Sequence, residues 1–460
     1  MTSKGYVDHV ERAARVLADA ARVDWHDAAL WQVRTKRDNA ARRLPEWEHL
    51  RELASAIKTH TLSELPRYLE QFEAAAVKRG AIVHFARDAD EHNRIVADIL
   101  RAEGVTKVVK SKSMLTEECG LNPYLQARGF EVTDTDLGEF IVQLRHEPPS
   151  HIVLPAIHLK REDVGETFTK LLSAEPTSDP QKLAEFARRH LRQKFLAAEA
   201  AITGVNFAVA ETGGIVVCTN EGNADLGMAL PPIHIACVGI EKLIPRPRDL
   251  GVFLRLLARS ATGQAITSYT SHIHGPRRGQ VLHIILVDNG RSQMLAEEKH
   301  RGAFKCIRCG ACMNTCPVFR RTGGHSYGTE VPGPIGSILA PLRNASRHRT
   351  LPFACSLCAS CSNVCPVRVD LHAQLLLLRQ RLTDAKLTPF IKRFVSILAS
   401  KLLAHPGLFR WSGRMGRTLV RFLPVRFRHW LFRAYEQGRT VPELPAQSFH
   451  DWYRHRKGMR

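Results

Sequence analysis

The sequence predicts a parallel α/β domain followed by an α-helical unit organised around cysteine, with a helical region before them and a basic amphipathic tail after. Three observations carry that prediction. Short apolar runs alternate with helical-period stretches between residues 80 and 290, eight of the eleven cysteines fall between Cys306 and Cys365, and residues 371–460 hold 18 Lys+Arg against 4 Asp+Glu. A chain of 460 residues has room for roughly two to four units, each able to bury a core. At 44% hydrophobic and 24% charged residues the composition is that of an ordinary globular protein, which excludes a collagen-like or wholly disordered chain. Of the formal charge of +21, the last 90 residues contribute +14.

Residues 1–79 read as helical and charged, with alanine-rich stretches at 13–22 and 50–58. Residues 81–86 (AIVHFA) are a short apolar run suited to a buried strand, and 88–101 place Val96, Ile99 and Leu100 at helical spacing. A second strand at 105–109 leads through Lys110, Ser111, Lys112 and Ser113 into a helix at 116–128, which Gly129 ends before a third strand at 130–133. Strand and helix alternating through short connections is the pattern of parallel α/β packing. Further strands are expected at 151–156, 207–210, 214–219, 234–239 and 281–288, and helices at 180–201 and 248–260. The resulting boundaries are 1–79, 80–290, 291–385 and 386–460.

Cys306, Cys309, Cys312 and Cys316 follow the spacing C-x2-C-x2-C-x3-C with Pro317 directly after; Cys355, Cys358, Cys361 and Cys365 repeat it, with Pro366, at a distance of 49 residues. This is the bacterial ferredoxin run, in which three closely spaced thiolates hold one [4Fe-4S] cube and the fourth ligates the other. One cluster would take Cys306, Cys309, Cys312 and Cys365, and the second Cys355, Cys358, Cys361 and Cys316. Structural zinc uses four ligands, commonly as two C-x2-4-C pairs, and leaves the third cysteine, the fourth and the proline unexplained in both copies. The 38 residues between Cys316 and Cys355 exceed what a compact β-type ferredoxin needs. With helices expected at 337–342 and 371–382, the closer comparison is the α-helical ferredoxin module of respiratory subunits. The remaining Cys119, Cys218 and Cys237 sit apart in apolar or mixed surroundings and read as packing.

Residues 110–122 (KSKSMLTEECGLN), 211–223 (ETGGIVVCTNEGN), both cysteine motifs and the ending at 444–452 (LPAQSFHDW) together resemble the lactate utilization protein B family, iron-sulfur subunits of a bacterial three-protein L-lactate oxidation system. The resemblance covers nearly the whole chain. It implies that residues 81–290 form a lactate-utilization domain related in fold to CoA-transferase and sugar-phosphate isomerase (NagB/RpiA-type) proteins. It also implies that the chain passes electrons during conversion of L-lactate to pyruvate, alongside other subunits of a lactate-oxidising complex.

Chemistry within the α/β domain is open to more than one reading. Lys110, Ser111, Lys112 and Ser113 stand where a strand hands over to a helix, the carboxyl-end crevice where open α/β sheets bind ligands; they suit a carboxylate or phosphate, or else form a solvated turn with a serine cap. Glu211, beside the glycine turn at Thr212, Gly213 and Gly214, is either a catalytic carboxylate or a turn-flanking residue. His272 and His274, near Arg277 and Arg278, either orient an anionic hydroxy acid and accept its proton or are exposed loop histidines. The alternative function is a CoA-transferase-like enzyme with structural clusters. No G-x-G-x-x-G, P-loop or H-E-x-x-H motif is present, so dinucleotide, nucleotide and zinc-protease readings lack support.

The tail interleaves Phe409, Trp411, Phe422, Phe427, Trp430 and Phe432 with Arg410, Arg414, Arg417, Arg421, Arg426, Arg428 and Arg433. Such a segment suits an anionic membrane surface or an acidic partner subunit, or packs as an amphipathic helix on the ferredoxin module. Nucleic acid is the weakest of these partners. Without a secretory h-region or an apolar span of 18 residues, the expected location is the cytoplasm, with peripheral contact on the inner face of the membrane.

Overall fold

Runs that are apolar at nearly every position suit strands buried on both faces, and parallel sheets supply that environment. In the computed structural model, which describes residues 5–424, 426–427 and 445–458, ten strands form. They are β1 (Ile82–Ala86), β2 (Lys107–Lys110), β3 (Glu131–Asp134), β4 (Ala200–Gly204), β5 (Phe207–Val209), β6 (Gly214–Thr219), β7 (Ile233–Gly239), β8 (Leu243–Ile244), β9 (Tyr269–Ile273) and β10 (Val281–Val287). Six make a parallel sheet in the order β1-β10-β7-β4-β2-β3, and four make a smaller sheet in the order β8-β5-β6-β9. Every residue of β7 and all but the first of β10 are buried, at the middle of the large sheet.

The strand order places a crevice. From β2 the chain steps outward to β3, whereas from β4 it steps the other way, through β7 to β10. The reversal lies between β2 and β4, whose carboxyl ends carry Lys110 to Ser113 and Gly204. Such a topological switch point is where open α/β sheets bind ligands. The two ends approach so closely that a Cβ on Gly204 would stand 2.8 Å from that of Ser113, which only glycine avoids.

Where the sequence reading and the backbone differ, local hydrogen bonding explains it. No strand forms at 151–156. The Val153 and Leu154 N–H groups donate to Nδ1 of His151 at 3.0 and 3.1 Å, and Ser150 donates to the Pro155 carbonyl, so this loop satisfies its own backbone without a ladder. The helix expected to 201 stops at Ala197, and its alanine-rich end becomes β4. The helix expected at 116–128 is two, Met114–Cys119 and Leu121–Gln126, divided at Gly120 with φ +65°.

The described residues up to 79 form four helices, His9–Leu17, Ala20–Arg42, Trp47–Ser63 and Leu65–Lys78. They share one core with the sheets and the cysteine region, in which Leu30, Ala54 and Phe72 join Ile284, Phe319 and Leu371. Arg37 and Arg51 reach the second cysteine loop: Arg37 donates to the Val364 carbonyl at 2.8 Å, and Arg51 to those of Asn363 at 2.6 Å and Cys365 at 3.0 Å. The chain divides into two units, one reaching Leu382 and the other beginning at Thr383. In the second, the helices Phe390–Ala404, Pro406–Phe422 and Phe449–Gly458 have no buried residue among those described. Arg428, Trp430, Phe432, Arg433 and Leu444 lie outside the described residues.

Candidate metal centre and adjoining cavity

The repeated spacing folds into a repeated loop. Two residues after the first cysteine and one after the second, the chain turns left-handed in both copies: Arg308 (φ +59°) and Gly310 (φ +76°) in the first, Leu357 (φ +56°) and Ala359 (φ +61°) in the second. Three of these four are not glycine, and each such residue costs on the order of 1–3 kcal/mol unless its surroundings impose the conformation. The curl brings backbone N–H groups onto sulfur: Arg308 onto Cys306 at 3.4 Å, Leu357 onto Cys355 at 3.3 Å, Phe319 onto Cys316 at 3.5 Å and Val369 onto Cys365 at 3.3 Å.

The thiols sort into two sets. Burial, then Cys365 and Cys306, push the Cys309 thiol up, and burial with Cys306, Cys309, Cys361 and Cys365 does the same to Cys312. Cys361 is pushed up to about 12 by burial and by Cys316, Cys355 and Cys358; Cys316 is pushed up to about 11 by burial, with Cys355 and Cys358 among its neighbours. One set is therefore Cys306, Cys309, Cys312 and Cys365, the other Cys316, Cys355, Cys358 and Cys361, with Cys312 and Cys361 where the two meet. A small cavity is lined by all four thiols of the second set, together with Tyr327 and Leu375. Among the described residues no three His, Cys, Asp or Glu side chains close around a single ion. The buried thiols of Cys309, Cys312, Cys316, Cys361 and Cys365 resist ionising until a multivalent metal group compensates them, and aimed N–H groups favour the thiolate form. The residues present fit an iron-sulfur cluster in each set.

Surroundings distinguish the two sets. Arg37 faces Cys309, Arg51 and Lys305 face Cys365, and Lys58 and Lys242 face Cys306. Burial holds Lys58 down to about 8, and its ammonium donates to the Glu241 and Leu243 carbonyls. In the second set Cys358 is exposed to solvent.

Cys309 also forms part of the wall of a second cavity, of about 540 Å³, at the carboxyl ends of β2, β3, β4 and β7. Ser111, Lys112 and Ser113 line it as the sequence suggested. Lys112 donates to Asp136 at 2.9 Å and to the Val153 carbonyl at 3.0 Å, while Ser113 accepts the Thr116 N–H and caps its helix. Lys110 does not reach the cavity. It is fully buried between Asp134 (2.7 Å), Glu117 (3.2 Å) and Glu139 (3.7 Å), an internal charge already compensated.

Glu211, His272 and His274 are exposed and lie outside the cavity wall; Glu211 flanks the turn between the antiparallel β5 and β6, and the two histidines lie on and beside β9. Cys119 and Cys237 are buried, and burial pushes the Cys119 and Cys218 thiols up to about 12, in keeping with packing roles.

The residues that sequence reasoning missed are the charges on the cavity wall. Arg291 bonds Glu241 through Nε at 2.6 Å and Glu118 through Nη2 at 2.9 Å, and Arg343 adds a third contact to Glu118 at 3.0 Å. Glu221 is raised by burial and by Asp136. Two of them, Glu118 and Glu221, stand inside stretches that carried the resemblance; Lys242 ends the short turn that follows β7 and had no motif to mark it.

A LUD domain family matches residues 69–291, and a 4Fe-4S dicluster domain family matches residues 302–369. The chain is 40% identical to lactate utilization protein B of Oceanobacillus iheyensis over 93% of its own length and 92% of that protein's. It is 39% identical to the Shouchella clausii protein of the same name, again over 93% and 92%, and 39% identical to the uncharacterized electron transport protein YkgF of Escherichia coli K12 over 89% of each. A crystal structure of a DUF162 family protein from Deinococcus radiodurans aligns with 48% of this chain and 98% of that chain at 17% identity, with a TM-score of 0.28, too low to carry a structural argument. Spanning such relatives nearly end to end, with a mixed α/β LUD domain followed by a 4Fe-4S dicluster region, the chain belongs to the lactate utilization protein B family.

Proposed function

We propose that this chain is the electron-carrying iron-sulfur subunit of a system that oxidises L-lactate to pyruvate, and that it holds two [4Fe-4S] clusters. Cys306, Cys309, Cys312 and Cys365 would hold one, and Cys316, Cys355, Cys358 and Cys361 the other. The observation that carries the reading is the crosswise sorting of eight thiols from two loops of the same backbone shape. Clusters of this kind, when bound, exchange one electron each, so a pair matches the two electrons that a 2-hydroxy acid releases on becoming a 2-oxo acid. Around them the chain's own residues set the electrostatics. The N–H groups of Arg308, Leu357, Phe319 and Val369 and the cations Arg37, Arg51 and Lys305 favour the more negative state.

Cys309 on the cavity wall and Cys358 at the surface give the path a direction, from the α/β domain outward to a partner subunit. Kinship of the α/β domain with the CoA-transferase and NagB/RpiA-type fold belongs to the same proposal. A CoA-transferase activity has no supporting geometry, because Glu211 stands exposed on a turn away from the cavity.

The tail would bring the protein to the inner face of the membrane. Phe390, Ile391, Phe394 and Phe422 are 58 to 81% exposed, beside an excess of arginine, which suits an anionic lipid surface. No helix among the described residues is long and apolar enough to cross a membrane, so contact would be peripheral. Sedimentation with vesicles containing phosphatidylglycerol, but not with neutral phosphatidylcholine vesicles, is the expected result.

Anaerobic reconstitution followed by iron and sulfide analysis and EPR tests the cofactor assignment. About eight irons per chain are expected; fewer than about four, or zinc in their place, would sink it. Lactate-dependent reduction measured with and without the partner proteins locates the oxidation step.

A further inference from the structure

The cavity beside Cys309 carries two donors that lack a hydrogen-bond acceptor among the described residues. Lys242 lines it yet makes no hydrogen bond or ion pair among the described residues. Arg308 spends Nη2 on Glu118 at 3.4 Å, while its Nη1 is buried with no acceptor. A buried donor left unmade costs about 1–3 kcal/mol, more when charged, so an acceptor is expected at this place. The neighbouring charges do not provide one. Glu118 is shared among Arg291, Arg308 and Arg343, Glu241 is taken by Arg291, Asp136 by Lys112, and Glu221 accepts the Leu137 N–H.

We propose that this cavity is a binding site for a 2-hydroxy or 2-oxo carboxylate, its anionic head held by Lys242 and the free Nη1 of Arg308 against the wall that Cys309 completes. Its position at the chain reversal between β2 and β4 is the one at which open α/β sheets take ligands. Its volume of about 540 Å³ exceeds the needs of a three-carbon acid, and Leu154, Ile157, Val217 and Leu257 line the remainder with apolar surface. The site therefore accepts acids with larger apolar side chains as well as lactate. The choice of 2-hydroxy acids rests on the function proposed above; the carboxylate-binding role of Lys242 rests on the cavity alone.

Isothermal titration of the full-length, anaerobically reconstituted protein with L-lactate and with L-mandelate tests this directly. Saturable binding of both is expected, with mandelate at least as tight as lactate. Lys242→Met should weaken both about tenfold or more, the loss of one charge-assisted hydrogen bond, and Lys242→Arg should restore much of the affinity. Iron content and EPR intensity of both variants should match the parent. Binding of neither acid, mandelate weaker than lactate, or an affinity unchanged in Lys242→Met would overturn the assignment. Because titration reads the carboxylate and iron analysis reads the clusters, failure of this site and failure of the electron-transfer reading give different results.

Discussion

The two sets of thiols are built from loops that share a spacing and a backbone, yet one set is wrapped in cations and set against the larger cavity while the other brings a cysteine to the surface. Sequence repetition specifies the shape of a cluster loop, whereas its electrostatic setting comes from segments far away in the chain. For the first set of thiols those segments are the helices Ala20–Arg42 and Trp47–Ser63 and the residues shortly after β7. A duplicated motif thus yields two unequal positions, the inequality from which the proposed relay takes its direction.

Removing one ligand from each loop should break the comparison most severely. Cys309→Ser and Cys358→Ser should each cost about half of the bound iron, and EPR should show loss of a different signal in each. Loss of the same signal from both would dissolve the crosswise assignment.

Acid should distinguish the loops next. His151 packs against Gly310 of the first loop, where a Cβ would meet its ring at 3.0 Å, and its Nε2 lies 3.0 Å from Oδ1 of Asn314 while Nδ1 accepts two N–H groups. That network requires the neutral ring, and burial lowers its pKa from 6.5 to about 3. The unfolded chain takes up the proton first as pH falls. The stabilisation is therefore complete above pH 6.5 and is lost on the way down to about 3. By pH 5 the loss should reach about 2 kcal/mol, and His151→Gln should flatten the slope in denaturant titrations.

The left-handed positions offer a smaller contrast. Gly310→Ala adds a Cβ at φ +76° against His151 and Val153, and should cost about 1–3 kcal/mol. Ala359→Gly relieves a left-handed alanine at the equivalent place and should stay within about 1 kcal/mol of the parent. Thermal or chemical denaturation of the reconstituted variants measures both.

The finest effect is on potential. Arg51→Met removes a cation facing Cys365, and should lower the potential of the first cluster by a few tens of millivolts, less than the roughly 59 mV that is tenfold for one electron. The second cluster should be unmoved in the same redox titration.

The 4Fe-4S dicluster region was legible in the sequence because iron-sulfur coordination imposes spacing on neighbouring residues, and spacing is what a sequence displays. The parallel sheet was legible for a similar reason, since β1, β7 and β10 are apolar along most of their length. β4 was hidden because its alanines suit a helix as well as a buried strand, and 151–156 read as a strand because apolar residues in a self-bonded loop look the same. Lys110 and Lys112 illustrate the limit at the cavity. Two residues apart and chemically alike, they differ in that three carboxylates from separate elements enclose the first. Lys242 and Arg308 became visible only through the partners they lack.

The clamp formed by Arg51 also orders events in time. Its acceptor, the carbonyl of Cys365, lies 314 residues further along the chain. At translation speeds of about 5–20 residues per second, the helix holding Arg51 waits on the order of 15–60 s before its partner is synthesised. The first set of thiols, begun at Cys306, Cys309 and Cys312, gains its fourth member only when Cys365 is made, so that the residue that completes this set also supplies the carbonyl on which Arg51 closes.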